Sequence, residues 1–232
     1  RIGKSINKSL ADKKNALNEF RRVMFTKKNT STSDIIEYVK EVSVKFASII
    51  EMTVNSSGPV FIFSNWLTYG VEPLAIILET LGFTNFQNKG KESGNKYFLW
   101  NSSTKNQKNG DELIKRARNT FNSQDNQDGS LLKVILGTRS VMEGVSFKNV
   151  KQVHITDPWW NESRIEQILA RASRYCSHSN LEKNEQYVDI YRHYSVFPGE
   201  GIDQEAVKKL EGNYKNYAED SIEERMLQAS IK

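Results

Sequence analysis

The sequence predicts an α/β domain layered around a mainly parallel sheet. Short runs such as Val60-Phe61-Ile62-Phe63 are apolar at every position, as a strand buried on both faces requires. Between these runs, apolar residues recur at helical spacing. Gly, Pro, Ser and Asn separate the two kinds of segment, so strands and helices alternate along the chain.

In residues 34–54, Ile35, Val39, Val42, Phe46, Ile49 and Ile50 share a helical face, and Ser33 or Asp34 can cap it. Ser56-Ser57-Gly58-Pro59 breaks that pattern ahead of the strand at 60–63. Residues 72–81 read as a helix closed by Gly82. A strand at 97–100 and a helix at 111–121 with Lys115, Arg116 and Arg118 exposed come next, then a polar loop at 122–130. Strands at 131–136 and 150–155, a helix at 162–174 and a strand at 187–191 complete the alternation. A Gly199–Gly201 turn leads into a polar helical tail from Asp203. The expected division is a helical segment at 1–55, part of or packed on the same domain, and an α/β domain at 56–232.

A chain of 232 residues can bury a real core, and 38% hydrophobic with 26% charged residues is ordinary for a globular protein. The net charge of +5 mildly favours an anionic partner. Basic residues concentrate in the first thirty positions, where Lys13, Lys14, Arg21, Arg22, Lys27 and Lys28, with Arg1, Lys4 and Lys8, face only Asp12 and Glu19. Such a helix either rides on phosphates or is a solvated face. The single cysteine, Cys176, excludes an internal disulfide and a Cys-rich zinc site, which fits a reducing, intracellular setting. No apolar stretch approaches the ~20 residues that span a bilayer, so no membrane partner is expected. The chain opens at Arg1 and is expected to be a piece of a longer protein.

In open α/β sheets ligands sit beyond the carboxyl ends of the strands. There the sequence places Ser64-Asn65, Asn101-Ser102-Ser103, Gly137-Thr138-Arg139 and Thr156-Asp157. Small hydroxyl and amide groups at four strand ends suit a surface that grips a phosphate backbone without reading bases; any one of them can instead simply cap a helix. On the last long helix, Gln167, Arg171 and Arg174 are spaced four and three apart, hence on one face. Two guanidiniums at a domain edge suit a γ-phosphate held by another domain, because arginine is a rigid, bidentate, permanently charged donor. The alternative is a surface pair neutralised by Glu162 or Glu166.

Gln167-x-x-x-Arg171-x-x-Arg174 resembles motif VI of superfamily 2 helicases, usually Gln-x-x-Gly-Arg-x-x-Arg. The run from Val134 to Phe147, with Gly137-Thr138-Arg139 and Glu143-Gly144, resembles motif V. Residues 60–65 with 74–82 resemble motif IV, and Trp100-Asn101-Ser102 sits where motif IVa falls. Asp157-Pro158-Trp159-Trp160-Asn161 and Arg118-x-x-Phe121-Asn122 are similar to signatures of the Snf2-like branch. Ser177-His178 matches the nucleoside triphosphate phosphohydrolases and early-transcription-factor ATPase subunits of large DNA viruses. The resemblance covers residues 59–178 and departs at Ala170, where the family has glycine and a slightly wider packing gap is expected here.

The resemblance implies a three-layer RecA-like domain, the C-terminal half of an ATP-dependent helicase or translocase. Arg171 and Arg174 would be arginine fingers and Gln167 would orient them or touch the nucleotide, while Glu143 and Gly144 would approach the ribose. Ser64, Asn65, Asn101, Thr138 and Arg139 would hold a DNA or RNA backbone. ATP would come with Mg2+ held mainly by an N-terminal RecA-like domain, so the chain alone is expected to turn over no ATP. RNA polymerase or other transcription proteins are further partners it suggests, in a host cytoplasm or a virion. The rival readings are a degenerate RecA-like protein-interaction module of a viral transcription complex, and a plain nucleic-acid-binding domain using the basic N-terminal helix.

Some features are expected to be structural. Gly3-Lys4-Ser5 lacks the upstream glycine and strand of a phosphate-binding loop. His154 lies in an apolar strand and reads as structural; Trp159 and Trp160 either stack on bases or pack their loop, with packing of at least one the expectation. Arg164, on the same helix but outside the motif, is expected to matter little.

Overall fold

The computed structural model describes residues 2–88, 95–142, 145–174, 177–179 and 181–195, together with Glu223 and Met226. The turn at 199–201, the tail from 203, Glu143, Gly144, Cys176 and most of the polar insert at 87–96 lie outside the described residues. Helices α1 (Ile2–Thr26), α2 (Thr32–Val42) and α3 (Val44–Asn55) precede β1 (Val60–Phe63) and α4 (Glu72–Thr80). Then come β2 (Thr84–Asn85), β3 (Lys96–Trp100), α5 (Ser102–Asn106), α6 (Gly110–Phe121) and β4 (Val134–Gly137). The described order ends with β5 (Gln152–Ile155), α7 (Glu162–Ala172) and β6 (Asp189–Arg192).

The six strands form one sheet in the order β2-β3-β4-β1-β5-β6, every pairing parallel. Parallel neighbours need crossovers, and the helices that make them cover both faces. Alternation along β1 sorts its side chains. Val60 and Ile62 join a core with Met24, Ile35, Val39, Ile50 and Leu74 from α1–α4. Phe61 and Phe63 join an opposite core with Ala117, Phe121, Ile165, Ile168 and Ala172 from α6 and α7. The result is the three-layer α/β architecture expected, with α1–α3 packed on the same core as the sheet.

β1 runs where the apolar pattern puts it. The helix α4 ends on a Schellman turn: Gly82 adopts φ +89°, its N–H meets Glu79 O at 3.1 Å, and Phe83 N–H meets Leu78 O at 2.9 Å. The single helix expected at 34–54 is two. Ser43 (φ −158°, ψ 105°) ends α2 with its N–H on Val39 O and starts α3 by accepting Phe46 N–H on its hydroxyl. A serine hydroxyl competes for backbone donors, while both helices keep apolar residues toward one core, so spacing alone shows no break. Val42 and Val44, beside the break, are consequently 56% and 66% exposed. The true cap of α2 is Ser31, in a capping box with Asp34. β2 is two polar residues at the sheet edge, too short for any hydrophobic pattern.

The loop expected at 122–130 is built around a polar core. Asn126 is fully buried; its amide donates to Phe121 O and Leu132 O and accepts from Leu131 N–H and Leu132 N–H. One side chain thus stands in for a missing strand partner just ahead of β4. Replacing Asn126→Ala strands four buried backbone groups and is expected to lower the unfolding free energy by roughly 2–4 kcal/mol. Urea unfolding followed by circular dichroism measures this; an unchanged midpoint would show that water replaces the amide without loss.

Candidate functional site

At the carboxyl edge of the sheet, Asp157 fastens β1 to β5. Its carboxylate accepts from Ser64 Oγ at 3.1 and 3.2 Å, from Asn65 N–H at 2.7 Å, from Asn65 Nδ2 at 3.4 Å and from Thr156 Oγ1 at 2.8 Å. After Ser64 the chain makes a π-helical turn, Leu67–Val71, into α4. Gly70 packs there so closely that a Cβ would lie 2.0 Å from Ser64 Oγ. Only glycine lets the turn close on the clamp.

The backbone-binding candidates all lie on this edge, but their side chains are largely committed. Ser64 is buried in the Asp157 clamp, beside Asn65. Asn101 is buried and caps α5 by accepting Thr104 N–H at 2.8 Å. Thr138 is buried next to Ser140, and its N–H meets Trp100 O at 3.1 Å. Arg139 alone among them is exposed. Its guanidinium lies 4.9 Å from the Trp159 ring, and that of Arg164 lies 4.7 Å from the same ring. Arg164 therefore shares the Trp159 ring with Arg139. Trp159 packs against the core while Trp160 is exposed, so the tryptophan pair divides as expected.

The arginine pair lies on α7 and just past it. α7 stops at Ala172, because Ser173 leaves helical geometry and its hydroxyl bonds back to Leu169 O at 2.9 Å. Arg174 follows this cap instead of extending the helical face. Gln167, Ala170, Arg171, Ser173 and Arg174 nevertheless line one open depression of about 480 Å³. Ala170 stands at its surface, where its methyl opens no packing gap.

Both arginines are anchored to the segment before β5. Arg171 Nη1 donates to Val145 O at 3.4 Å and Arg174 Nη1 to Ser146 Oγ at 3.0 Å. Phe147 N–H meets Arg171 O at 2.7 Å. Asn122 holds the same segment from α6, donating to Ser146 O and accepting Lys148 N–H, both at 2.9 Å. Glu162 pairs with Arg192, not with the motif arginines. The sequence places Asp157 at a strand end, and Asn122 and Ser146 inside runs that resemble family motifs, but it assigns none of the three its anchoring part, which needs partners from separate elements.

The histidines are structural. His154 is buried in β5 between Gln152 Oε1, 3.2 Å from Nε2, and His193 Nε2, 2.9 Å from Nδ1. A carbonyl oxygen only accepts, so Nε2 carries the proton and His193 donates to the bare Nδ1. His178 bridges Ser177 Oγ and Val150 O, tying the turn after α7 to the start of β5. Gly3-Lys4-Ser5 falls inside the long helix α1, and among the described residues no strand precedes it.

A parallel sheet covered on both faces, with polar strand ends and the arginine-bearing helix α7 along one edge, has the form of a RecA-like domain. The family described as helicase conserved C-terminal domain matches residues 44–176, from the first residue of α3. The chain belongs to that family. Among relatives, "Putative ATP-dependent RNA helicase R563" of Acanthamoeba polyphaga mimivirus is 40% identical over 166 residues, 70% of this chain and 28% of the relative. Nucleoside triphosphatase I of Melanoplus sanguinipes entomopoxvirus is 26% identical over 186 residues, 78% of this chain and 26% of the relative. The chain thus spans about a quarter of the length of these relatives. A solved structure, the C-terminal part of the Fun30 ATPase domain, gives a TM-score of 0.43 at 18% identity over 79% of this chain and 50% of that one, too distant to argue from. No helix among the described residues is long and apolar enough to cross a membrane.

Burial, and secondarily the neighbouring His193, pushes His154 down to about 3; burial, and secondarily Lys45, pushes His193 down to about 4. The unfolded chain therefore binds these protons more readily than the folded one. Their contribution is complete above about pH 6.5 and is lost as pH falls through that value toward 4 and 3. Urea unfolding is expected to show a loss of a few kcal/mol between neutral pH and about pH 4, flattened in His154→Phe. An equally steep loss in the variant would assign the acid sensitivity to other groups.

Proposed function

We propose that this chain is one wall of the ATP site of an ATP-dependent helicase or translocase, and one half of its nucleic-acid track. Arg171 and Arg174 act as arginine fingers on a γ-phosphate bound by a separate N-terminal RecA-like domain, with Gln167 beside them and Glu143 and Gly144 toward the ribose. The observation that carries this reading is the open depression in which both guanidiniums stand, each steadied by the segment between β4 and β5. Fixed donors at a solvent-open edge suit charge that arrives from outside and grows in the transition state. Mg2+, in this reading, is held mainly by that N-terminal domain. Alone, the chain then supplies half a site and turns over no ATP. RNA polymerase or other transcription proteins, met inside a host cell or virion, are the partner class in keeping with the viral relatives.

In the full-length protein, Arg171→Ala and Arg174→Ala are each expected to lower kcat by on the order of 10³–10⁵, with far less effect on ATP binding. Arg171→Lys rescues only in part, because an ammonium lacks the planar two-donor fork. Lys40→Ala, on the exposed face of α2, is the control. Steady-state kinetics on variants with native circular dichroism decide it. Near-normal kcat in both would instead favour a degenerate protein-interaction module.

The nucleic-acid track runs along the carboxyl edge, shaped by Ser64, Asn65, Asn101 and Thr138, with Arg139 exposed to meet a phosphate. Binding is expected to be indifferent to sequence and steeply salt-dependent, and Arg139→Ala to reduce the log–log salt slope by about 1. Anisotropy titrations of one oligonucleotide and its scrambled version at several salt concentrations test this; a flat salt response would count against the track.

A further inference from the structure

The carboxyl edge also displays aromatic side chains that neither core uses. Trp66 and Tyr69, in the turn after β1, are 55% and 58% exposed, and Trp160, in the loop after β5, is 58% exposed. Three large rings in water on one edge of a domain are costly to keep there, since each forgoes the burial that stabilises such residues elsewhere.

These rings are held in place. Trp66 N–H donates to Ser64 Oγ at 3.0 Å, and Val71 N–H meets Trp66 O at 3.2 Å. The Asp157 carboxylate binds Ser64 and Asn65, directly ahead of Trp66, and itself stands three residues before Trp160. The two exposed tryptophans therefore leave neighbouring parallel strands from a single hydrogen-bonded clamp. Gly70, pressed against Ser64, leaves no room for the turn carrying Trp66 and Tyr69 to slide.

Two cations stand beside aromatic residues of this edge. Lys13 Nζ of α1 lies 5.6 Å from the Tyr69 ring, and Arg139 is stacked on Trp159, next in sequence to Trp160. Two nearby carboxylates are already engaged, Asp157 after β5 by its clamp and Glu162 at the start of α7 by Arg192 at 2.5 Å. Exposed π-faces with cations nearby suit a single-stranded nucleic acid, whose bases stack while its phosphates meet positive charge. A duplex buries its base faces and cannot use such rings.

We propose that Trp66, Tyr69 and Trp160 form a base-stacking platform for single-stranded nucleic acid, with Trp66 its principal ring. This rests on the reading of the carboxyl edge as the nucleic-acid track and adds contacts to bases where that reading has contacts to backbone alone. Stacking needs only a π-face, so the platform favours single strands over duplex without favouring a sequence.

The test compares strands of equal length and charge. Full-length protein is titrated by anisotropy with an oligothymidylate and with an abasic strand of the same length. The oligothymidylate is expected to bind about tenfold tighter. Trp66→Ala should abolish most of that advantage while leaving abasic binding unchanged, Trp66→Phe should keep it, and ATP hydrolysis without nucleic acid should be unaltered. Equal affinity of the wild-type protein for both strands would overturn the platform and leave the backbone track standing; this comparison needs no variant. Binding of neither strand would overturn track and platform together. An oligothymidylate advantage that survives Trp66→Ala, Tyr69→Ala and Trp160→Ala alike would place the stacking elsewhere.

Discussion

The hydrogen bond from the Phe147 amide to the Arg171 carbonyl is the joint on which the arrangement of the functional edge depends. On one side of it, the Phe147 ring sinks among Phe61, Phe121 and Trp100, at 4.8, 5.4 and 6.3 Å between centroids. On the other side, Arg171 turns back to Val145 O, and Arg174 reaches Ser146 Oγ. The segment 145–147 and the helix α7 are thereby joined and seated against an aromatic core.

The second constraint is the placement of β1 in the middle of a parallel sheet. A strand buried on both faces and paired on both sides has no freedom left except at its end, and there Asp157 takes it up. The residues that resemble nucleic-acid contacts in a helicase are consequently buried donors and caps more than free hands. In the proposed track they shape the edge, and Arg139 and the aromatics stand exposed on it. The wall-and-track reading and the stacking platform use the same edge at different places: the depression of α7 for charge, the β1 and β5 ends for bases.

Legibility in the sequence differs by element. β1 is legible because four apolar residues in a row have few other fates in an α/β chain. The helix break at Ser43 is not, since two helices packed on one core keep a common periodicity. Spacing puts Arg174 on a helical face, yet a serine hydroxyl bonding back to Leu169 O ends the helix two residues earlier. The side chain still reaches the same depression, because the turn after α7 is tied to β5 through His178 and Val150. Asn126 looks like one polar residue in a polar loop, and only its four backbone partners reveal it as a core residue.

By itself the sequence determined the layered α/β class, the order of most elements, the membership in a helicase family and which residues stand at strand ends. Those properties are written in local periodicity and in short motifs, where neighbours along the chain carry the information. Tertiary structure alone decided that Asp157 is the clamp, that Arg164 stacks on Trp159 with Arg139, and that Trp160 faces water while Trp159 does not. Each of these joins groups from separate elements, and burial, stacking and hydrogen bonding between distant segments exist only once the sheet has brought them to one edge.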